Sequence, residues 1–328
     1  MAPLPTIRQM QYFAALAEHR SFSRAAEACR VSQSTLSAAI RGLEEAVEAE
    51  LVDRSGRHAA LTGAGETVLA RIRSILMEVD DLSRLAGNHA TPLAGRLRLG
   101  VIPSIAPYLL PRALPSLRAR HPQLRLFLRE DLTRVLVEEL RAGRLDAILI
   151  AFPYPTEGLE IEPVGEDRLL FAAARGHPLC GRAAVRPVDI ADEPLLLLDD
   201  GHCLRDHVLR AAAAGRREGR GVREAEDVRA TSLTTLVQMA DNRLGVTLLP
   251  QIAVDAGVTA GTSLVIVPID DPEASRRLGI AWRRRSPRAD DFRLLARHLS
   301  TFVGPAGEAM PGAAAPGPGR DAVQTGHD

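Results

Sequence analysis

The sequence predicts a mixed α/β protein, with a winged helix-turn-helix domain at the N-terminus and a larger effector part built as two α/β subdomains. Three observations predict it. Over residues 6–47 apolar residues recur at helical spacing alone, with two short polar breaks. Over residues 68–86 they fall on an a/d seam. From residue 96 onward, short apolar runs alternate with helical stretches for about 210 residues, which is strand-helix alternation. The 328 residues suffice for two or three domains. With 46% hydrophobic and 25% charged residues, the chain buries a substantial core and is not intrinsically disordered as a whole. Its 41 basic and 41 acidic residues cancel, so bulk charge advertises neither nucleic acid nor an anionic membrane. Every basic residue is Arg; the sequence contains no Lys.

Residues 6–18 place Ile7, Met10, Phe13, Ala14 and Ala17 on one helical face. Ser21-Phe22-Ser23 breaks that helix, and Ser23 is expected to cap a second one over residues 24–29, whose small face is Ala25, Ala26 and Ala28. After Arg30-Val31, Ser32 is expected to cap a third helix with Leu36, Ile40, Leu43 and Val47 inward. Two helices on a short turn, with Ala at the crossing, make the helix-turn-helix pattern. Gln33, Ser34, Thr35 and Ser37 occupy the first turn of the third helix, with Arg41 beyond them. Short hydrogen-bonding side chains of this kind suit base edges and phosphates. The same pattern also fits a small helical bundle whose polar turn merely caps a helix. Charge does not decide: residues 1–65 carry seven Arg against seven acids. Position is more telling, because Arg30, Arg41, Arg54 and Arg57 fall near the prospective groove face while acids cluster at 44–53. Residues 53–61 read as a short β-wing whose Arg57 and His58 meet phosphate.

Residues 62–66 open a further helix that runs to about residue 86. Val68, Ile72, Ile75, Val79, Leu82 and Ala86 form its seam, which serves either a dimer or packing on its own domain. Residues 88–95 read as a hinge. Beyond it, strands are expected at 97–102, 124–128, 145–151, 169–173, 195–198, 246–249 and 264–267, with helices at 108–120 and 132–142. This order predicts parallel sheets and a ligand cleft at the strand C-termini. The Gly-rich piece 215–221 reads as a loop, and residues 304–328, rich in Gly, Pro and Ala, as a disordered tail. The expected division is therefore 1–62, 63–92, 93–303 and 304–328. No leader pattern interrupts residues 1–30 and no run of 18 apolar residues occurs, so a cytoplasmic protein without a membrane partner is expected. Walker A, GxGxxG-after-strand, GxSxG and HExxH motifs are missing, so neither an enzyme nor a cofactor is expected.

The run from Ser21 to Glu66 resembles the N-terminal winged helix of LysR-type transcriptional regulators. The shared pattern covers Ala25, Ala26, Val31-Ser32-Gln33, Leu36-Ser37, Ile40, Leu43-Glu44, Leu51, Arg54, Leu61-Thr62 and Gly65. Ala38 and Ala39 replace larger polar residues of that family, Glu48 stands where Gly usually ends the helix, and Val52 replaces Phe. The resemblance extends over residues 5–300 and implies a periplasmic-binding-protein-like effector part. It also implies a homodimer or homotetramer on double-stranded promoter half-sites, a small-molecule effector, and RNA polymerase as the partner of an activator.

Three cysteines, Cys29, Cys180 and Cys203, are too few for a secreted disulfide framework. Cys203 follows the run LLLL (195–198) and stands in the first turn of an expected helix, where amides and dipole stabilise a thiolate and lower the thiol pKa. Inert packing is the alternative. A metal site from His202, Cys203 and His207 lacks a second ligand cluster, and no metal is expected. Residues 195–206 resemble the redox segment of the peroxide-sensing OxyR subfamily, as do residues 102–111, 143–151 and 229–236. The resemblance implies that Cys203 is the thiol that attacks hydrogen peroxide. It implies that Ser104 (Thr in familiar members), Thr133, His202 and Asp206 place the peroxide, and that Arg283 lies near the same pocket. The subfamily's resolving cysteine falls nine residues on, where this chain has Ala212. Three readings stay open: Cys203 stops at sulfenic acid or takes a small-thiol cap; Cys180 resolves it; or the cleft binds a small organic anion and Cys203 is silent. A thiol-dependent redox enzyme is the rival from another class.

Overall fold

A computed structural model describes residues 4–54, 59–86, 91–214 and 223–304. Helix α1 (Ile7–His19) opens on a capping box: Thr6 Oγ1 accepts from the Gln9 N–H at 3.3 Å, and Gln9 Oε1 accepts from the Thr6 N–H at 2.8 Å. Helix α2 (Phe22–Ala28) starts before the expected residue. Its N-cap is Ser21, which accepts from the Arg24 N–H at 3.5 Å, and not Ser23. Ser23 already lies in the first turn, where its hydroxyl donates to Gln33 Oε1 at 3.0 Å and ties α2 to the next helix. Helix α3 (Gln33–Val47) is capped by Ser32 and ends on Glu48, which takes the left-handed conformation (φ 54°) despite its side chain. Ala25 and Ala26 are small enough for the three helices to close around Phe13, Leu16, Leu36, Ile40 and Leu43.

Strands β1 (Val52–Asp53) and β2 (Ala60–Leu61) form an antiparallel wing. Glu44 anchors it from α3, accepting from the Leu51 and Val52 N–H groups at 3.0 and 3.2 Å and from Arg54 at 2.5 Å. Residues 55–58, with the expected phosphate contacts Arg57 and His58, lie outside the described residues. Helix α4 (Gly63–Ala86) buries Leu69 and Ile72 against the helical core, with Val68, Ile75 and Leu76 beside them. Farther along, Leu82 is 65% exposed. The seam thus packs on its own domain at one end, while Leu82 farther along faces solvent.

The larger part begins with β3 (Gly95–Val101), α5 (Ala106–Arg120), β4 (Leu124–Glu130), α6 (Thr133–Arg141) and β5 (Ala147–Phe152). Strand β3 runs parallel to β4 and β5. Then come β6 (Leu159–Ala173), α7 (Pro187–Ile190), β7 (Leu195–Leu198), α8 (Cys203–Ala213), β8 (Glu224–Ala230), α9 (Leu233–Asp241), β9 (Thr247–Pro250), α10 (Gln251–Asp255), β10 (Val265–Pro268), β11 (Ser275–Arg283) and α11 (Ala289–Ser300). Among the strands of the described residues, the expected parallel pairing holds for β3–β4, β3–β5 and β7–β8 only. Strand β6 is antiparallel to β9, β10 and β11, and β11 is antiparallel to β5. The reason is the length of β6. Its first part pairs with β11 in one lobe, and residues 169–173 pair with β9 and β10 in the other. Two strands, β6 and β11, therefore pass where the lobes meet.

Candidate functional site

Cys203 is the first residue of α8, reached from β7 through the loop 199–202. Gly201 has φ 94°, and a Cβ there would stand 3.2 Å from Leu132 Cδ1, so the turn that delivers the cysteine calls for glycine. His202 takes the N-cap position but makes no side-chain cap bond. Helix α6 opens at Thr133 and α5 just after Ser104 and Ile105, again without a side-chain cap. Three helix starts without a side-chain cap therefore meet around one cavity. It has a volume of about 10 Å³ and is walled by Ser104, Thr133, His202 and Cys203 together with Ile102, Pro103, Leu132, Gly201 and Leu204. That is room for about one small polar molecule, and the converging dipoles favour negative charge inside it.

The residue Cys203 is half-buried, but its thiol end is enclosed. Burial pushes the Cys203 thiol up from its ordinary value, against the pull of the Thr133 hydroxyl and the Arg276 charge, while Asp206 adds to the rise. The expected lowering at the helix start is thus outweighed in the resting state, and the thiol rests protonated. Thr133 is buried, and its hydroxyl makes no well-formed hydrogen bond among the described residues. It faces the Cys203 thiol closely enough to favour the charged form. Burial also lowers His202, and it pushes His207 down to about 4 with help from Arg276 and Arg210. Neither ring nitrogen of buried His207 has a well-formed partner among the described residues.

Ser104, Thr133, His202 and Cys203 are brought together. Asp206 is exposed on α8 and reaches Cys203 through its charge rather than as part of the wall. Arg283 is not among the residues that wall the cavity. Its Nη1 donates to the carbonyls of Leu140 and Leu145 at 2.5 and 2.7 Å, at the C-terminal end of α6. The arginine that serves the cavity is Arg276, earlier on β11. It is buried, donating from Nη1 to Ser104 Oγ at 2.7 Å and from Nη2 to the Ser104 carbonyl at 3.0 Å. Its only sequence signal is its inward position in the alternation of β11, next to outward Arg277, visible once β11 is recognised as a strand. Cys180 turns its sulfur toward the carbonyls of Ala173 and Ala174 at 3.9 and 3.8 Å. Cys29, at the end of α2, packs on the helical core. All three cysteines are free thiols, and Ala212 is fully buried on α8. Among the described residues, no group of three or more His, Cys, Asp or Glu is placed to hold a metal ion, and no helix is long and apolar enough to cross a membrane.

On α3, Gln33, Ser34, Thr35 and Arg41 are exposed and Ser37 is half-buried. Ser32 Oγ lies 2.8 Å from Ser34 Oγ and 2.7 Å from Thr35 Oγ1, and it accepts from the Thr35 N–H at 3.1 Å. Arg41 Nη1 donates to Ser37 Oγ at 2.9 Å. The row is pre-ordered by its own hydrogen bonds and open to solvent.

Comparison with known proteins bears on both regions. Residues 7–66 match the description "Bacterial regulatory helix-turn-helix protein, lysR family", and residues 90–303 match "LysR substrate binding domain". A probable hydrogen peroxide-inducible genes activator of Mycobacterium avium is 41% identical, over 91% of this chain and 94% of the relative. A full-length OxyR variant from Pseudomonas aeruginosa superposes with a TM-score of 0.76 at 33% identity, covering 90% of this chain and 98% of that one. A cysteine-to-serine variant of Corynebacterium glutamicum OxyR, with hydrogen peroxide bound, gives 0.61 at 32% identity over 92% and 94% of the two chains. These relatives are transcriptional regulators and not enzymes. With one family description on the N-terminal helices and another on most of the remaining chain, the protein belongs to the LysR family of helix-turn-helix transcriptional regulators.

Proposed function

We propose that the chain is a peroxide-responsive transcriptional activator in which Cys203 is the sensor. One observation carries the reading: the Cys203 thiol shares a cavity of about 10 Å³ with two hydroxyls, an imidazole and three uncapped helix starts. Such a space is about the size of one water molecule, so it excludes larger effectors and admits a peroxide with a slight parting of its walls. In the reaction the Cys203 thiolate attacks one peroxide oxygen. The S–O bond forms as the O–O bond breaks, sulfur loses two electrons to the peroxide, and the departing hydroxide takes up a proton as water. Ser104, Thr133 and His202 position the peroxide, and Asp206 tunes the charge at its edge. With Ala212 at the resolving position, oxidation stops at sulfenic acid or a small-thiol cap. The polar, bulkier sulfur no longer suits the enclosed wall, so the loop 199–202 and α8 repack.

The DNA-binding unit comprises residues 1–62, the linker and dimerising helix residues 63–92, and the effector part residues 93–303, with 304–328 as a tail. Gln33, Ser34, Thr35, Ser37 and Arg41 read the major groove and its phosphates, with Arg57 on the wing. The working form is a homodimer or homotetramer on promoter half-sites, with RNA polymerase as the partner of the activated state. A second reading, response to a small organic anion, is favoured by a larger cavity of about 300 Å³ whose walls include Arg175, His177, Glu193 and Arg243. Footprinting on the protein's own promoter, with and without peroxide, tests the choice. A footprint that changes in the wild type and stays fixed in Cys203→Ser supports the sensor. A footprint that peroxide changes equally in both removes Cys203 from sensing, and one that peroxide changes in neither favours the anion.

A further inference from the structure

A thiol that rests protonated must lose its proton before it attacks peroxide, and the buried charges around Arg276 bear on how. Arg276 and Asp167 have fully buried side chains, with Arg276 Nε and Nη2 each 2.9 Å from Asp167 Oδ2. Asp167 Oδ1 accepts from the Ile252 N–H at 3.0 Å, at the start of α10. The same guanidinium donates to Ser104, which walls the Cys203 cavity. One buried cation thus bonds a carboxylate directly and reaches the wall of the thiol's cavity through Ser104. In a low-dielectric interior it compensates one full negative charge, and a second remains costly.

We propose that Asp167 is a positioning residue that competes with the Cys203 thiolate for Arg276, so the buried cluster holds one negative charge at a time and Asp167 takes up a proton when Cys203 loses one. The inference rests on reading Cys203 as a reacting thiol. Burial pushes both groups upward from their ordinary values, and Arg276 pulls both down, as a shared cation must. The other groups that face the pair are Thr133, the Ala151 backbone, Tyr154 and Asp206 around Cys203, and Asp255 beside Asp167. Asp206 and Asp255 are exposed and screened by solvent. His207, which also feels Arg276, stays neutral. The cycle balances. The thiol releases its proton and Asp167 binds one. Thiolate attack yields neutral S–OH and hydroxide, and the proton held at Asp167 converts that hydroxide to water. The Arg276–Asp167 pair is thereby restored, and the sum is thiol plus peroxide giving sulfenic acid plus water.

The test is the pH profile of Cys203 alkylation by iodoacetamide in the full-length protein, read on the Cys203 peptide. Asp167→Asn moves the midpoint to lower pH and speeds alkylation at neutral pH roughly tenfold or more, as a shift of about one pKa unit requires. Asp167→Glu, which keeps the charge, restores the wild-type midpoint. A folded Asp167→Asn protein with an unmoved midpoint overturns the proposal. Should that variant fail to fold, the wild type decides through the neutral side of the same alkylation profile, because thiolate with protonated Asp167 carries as many protons as thiol with the Asp167 carboxylate. A rate that levels to a pH-independent plateau below the midpoint supports the proposal, and a rate that keeps falling tenfold per pH unit overturns it. Peroxide treatment of the same samples separates the two readings. A shifted midpoint without peroxide oxidation leaves this proposal standing and sinks the sensor; peroxide oxidation with an unmoved midpoint does the reverse.

Discussion

Helices α3 and α8 both begin at places where function is expected, and their first turns are built in opposite ways. The start of α3 is closed by its own side chains: Ser32 holds the Thr35 amide, and Ser34 and Thr35 turn back to Ser32. The start of α8 has no side-chain cap, and its first residue is a cysteine facing a small cavity. A capped, exposed turn is a stable platform that presents hydroxyls and an arginine to a large rigid partner. An uncapped, enclosed turn leaves backbone amides for a charge that appears only during a reaction. The difference teaches that a helix N-terminus can be satisfied for stability or left open for chemistry, and α3 and α8 show one case each.

The sharpest test of that contrast lies one turn beyond Cys203. His207 is held at about 4 against an ordinary 6.5, mainly by burial. Below about pH 6.5 the unfolded chain takes a proton that the folded chain refuses, so stability present above that pH is lost as pH falls toward about 4. The loss from this residue is about 3 kcal/mol. Urea denaturation at a series of pH values follows it. His207→Gln flattens the slope, and an unchanged slope means that the ring is not the buried neutral group described. Next in size is Ser32→Ala, which costs about 1 kcal/mol of stability by removing the cap of α3. Denaturation of the variant at neutral pH measures it, and a loss below a few tenths breaks the picture of a closed turn. The smallest effect is expected at the other cap position. His202→Ala changes stability by less than about 0.5 kcal/mol, because no cap bond is lost, yet it changes the rate at which Cys203 reacts with peroxide. A large stability loss with an unchanged rate would make α8 the ordinary capped helix and erase the comparison.

The α3 region was legible in the sequence because its rules are local. Helical periodicity, Ser32 before Gln33 and the alanines of α2 act within a few residues of one another. The one slip, Ser23 for Ser21, came from two serines flanking Phe22, either of which can cap. The α8 pocket was legible only in part. The cysteine and its turn follow from adjacent residues, whereas Ser104, Thr133 and Arg276 arrive from three separate elements. Arg276 went unread because β11 (SRRLGIAWR) carries three arginines and its pairing with β5 and β6 is set at long sequence separation. The antiparallel crossing of β6 and β11 was hidden for the same reason. Alternation of strands and helices announces βαβ units and says nothing of a long strand shared by two lobes. The burial that raises the Cys203 thiol is likewise a property of packed neighbours and leaves no mark in spacing.

One measurement reaches the central claim most directly: intact and peptide mass of the purified protein after substoichiometric hydrogen peroxide. The account predicts one added oxygen on the Cys203 peptide, trapped by a sulfenic-acid reagent, with Cys29 and Cys180 still free and no Cys203–Cys180 disulfide. A Cys203 peptide left unmodified while peroxide is present, or oxidised no faster than Cys29 and Cys180, would contradict it.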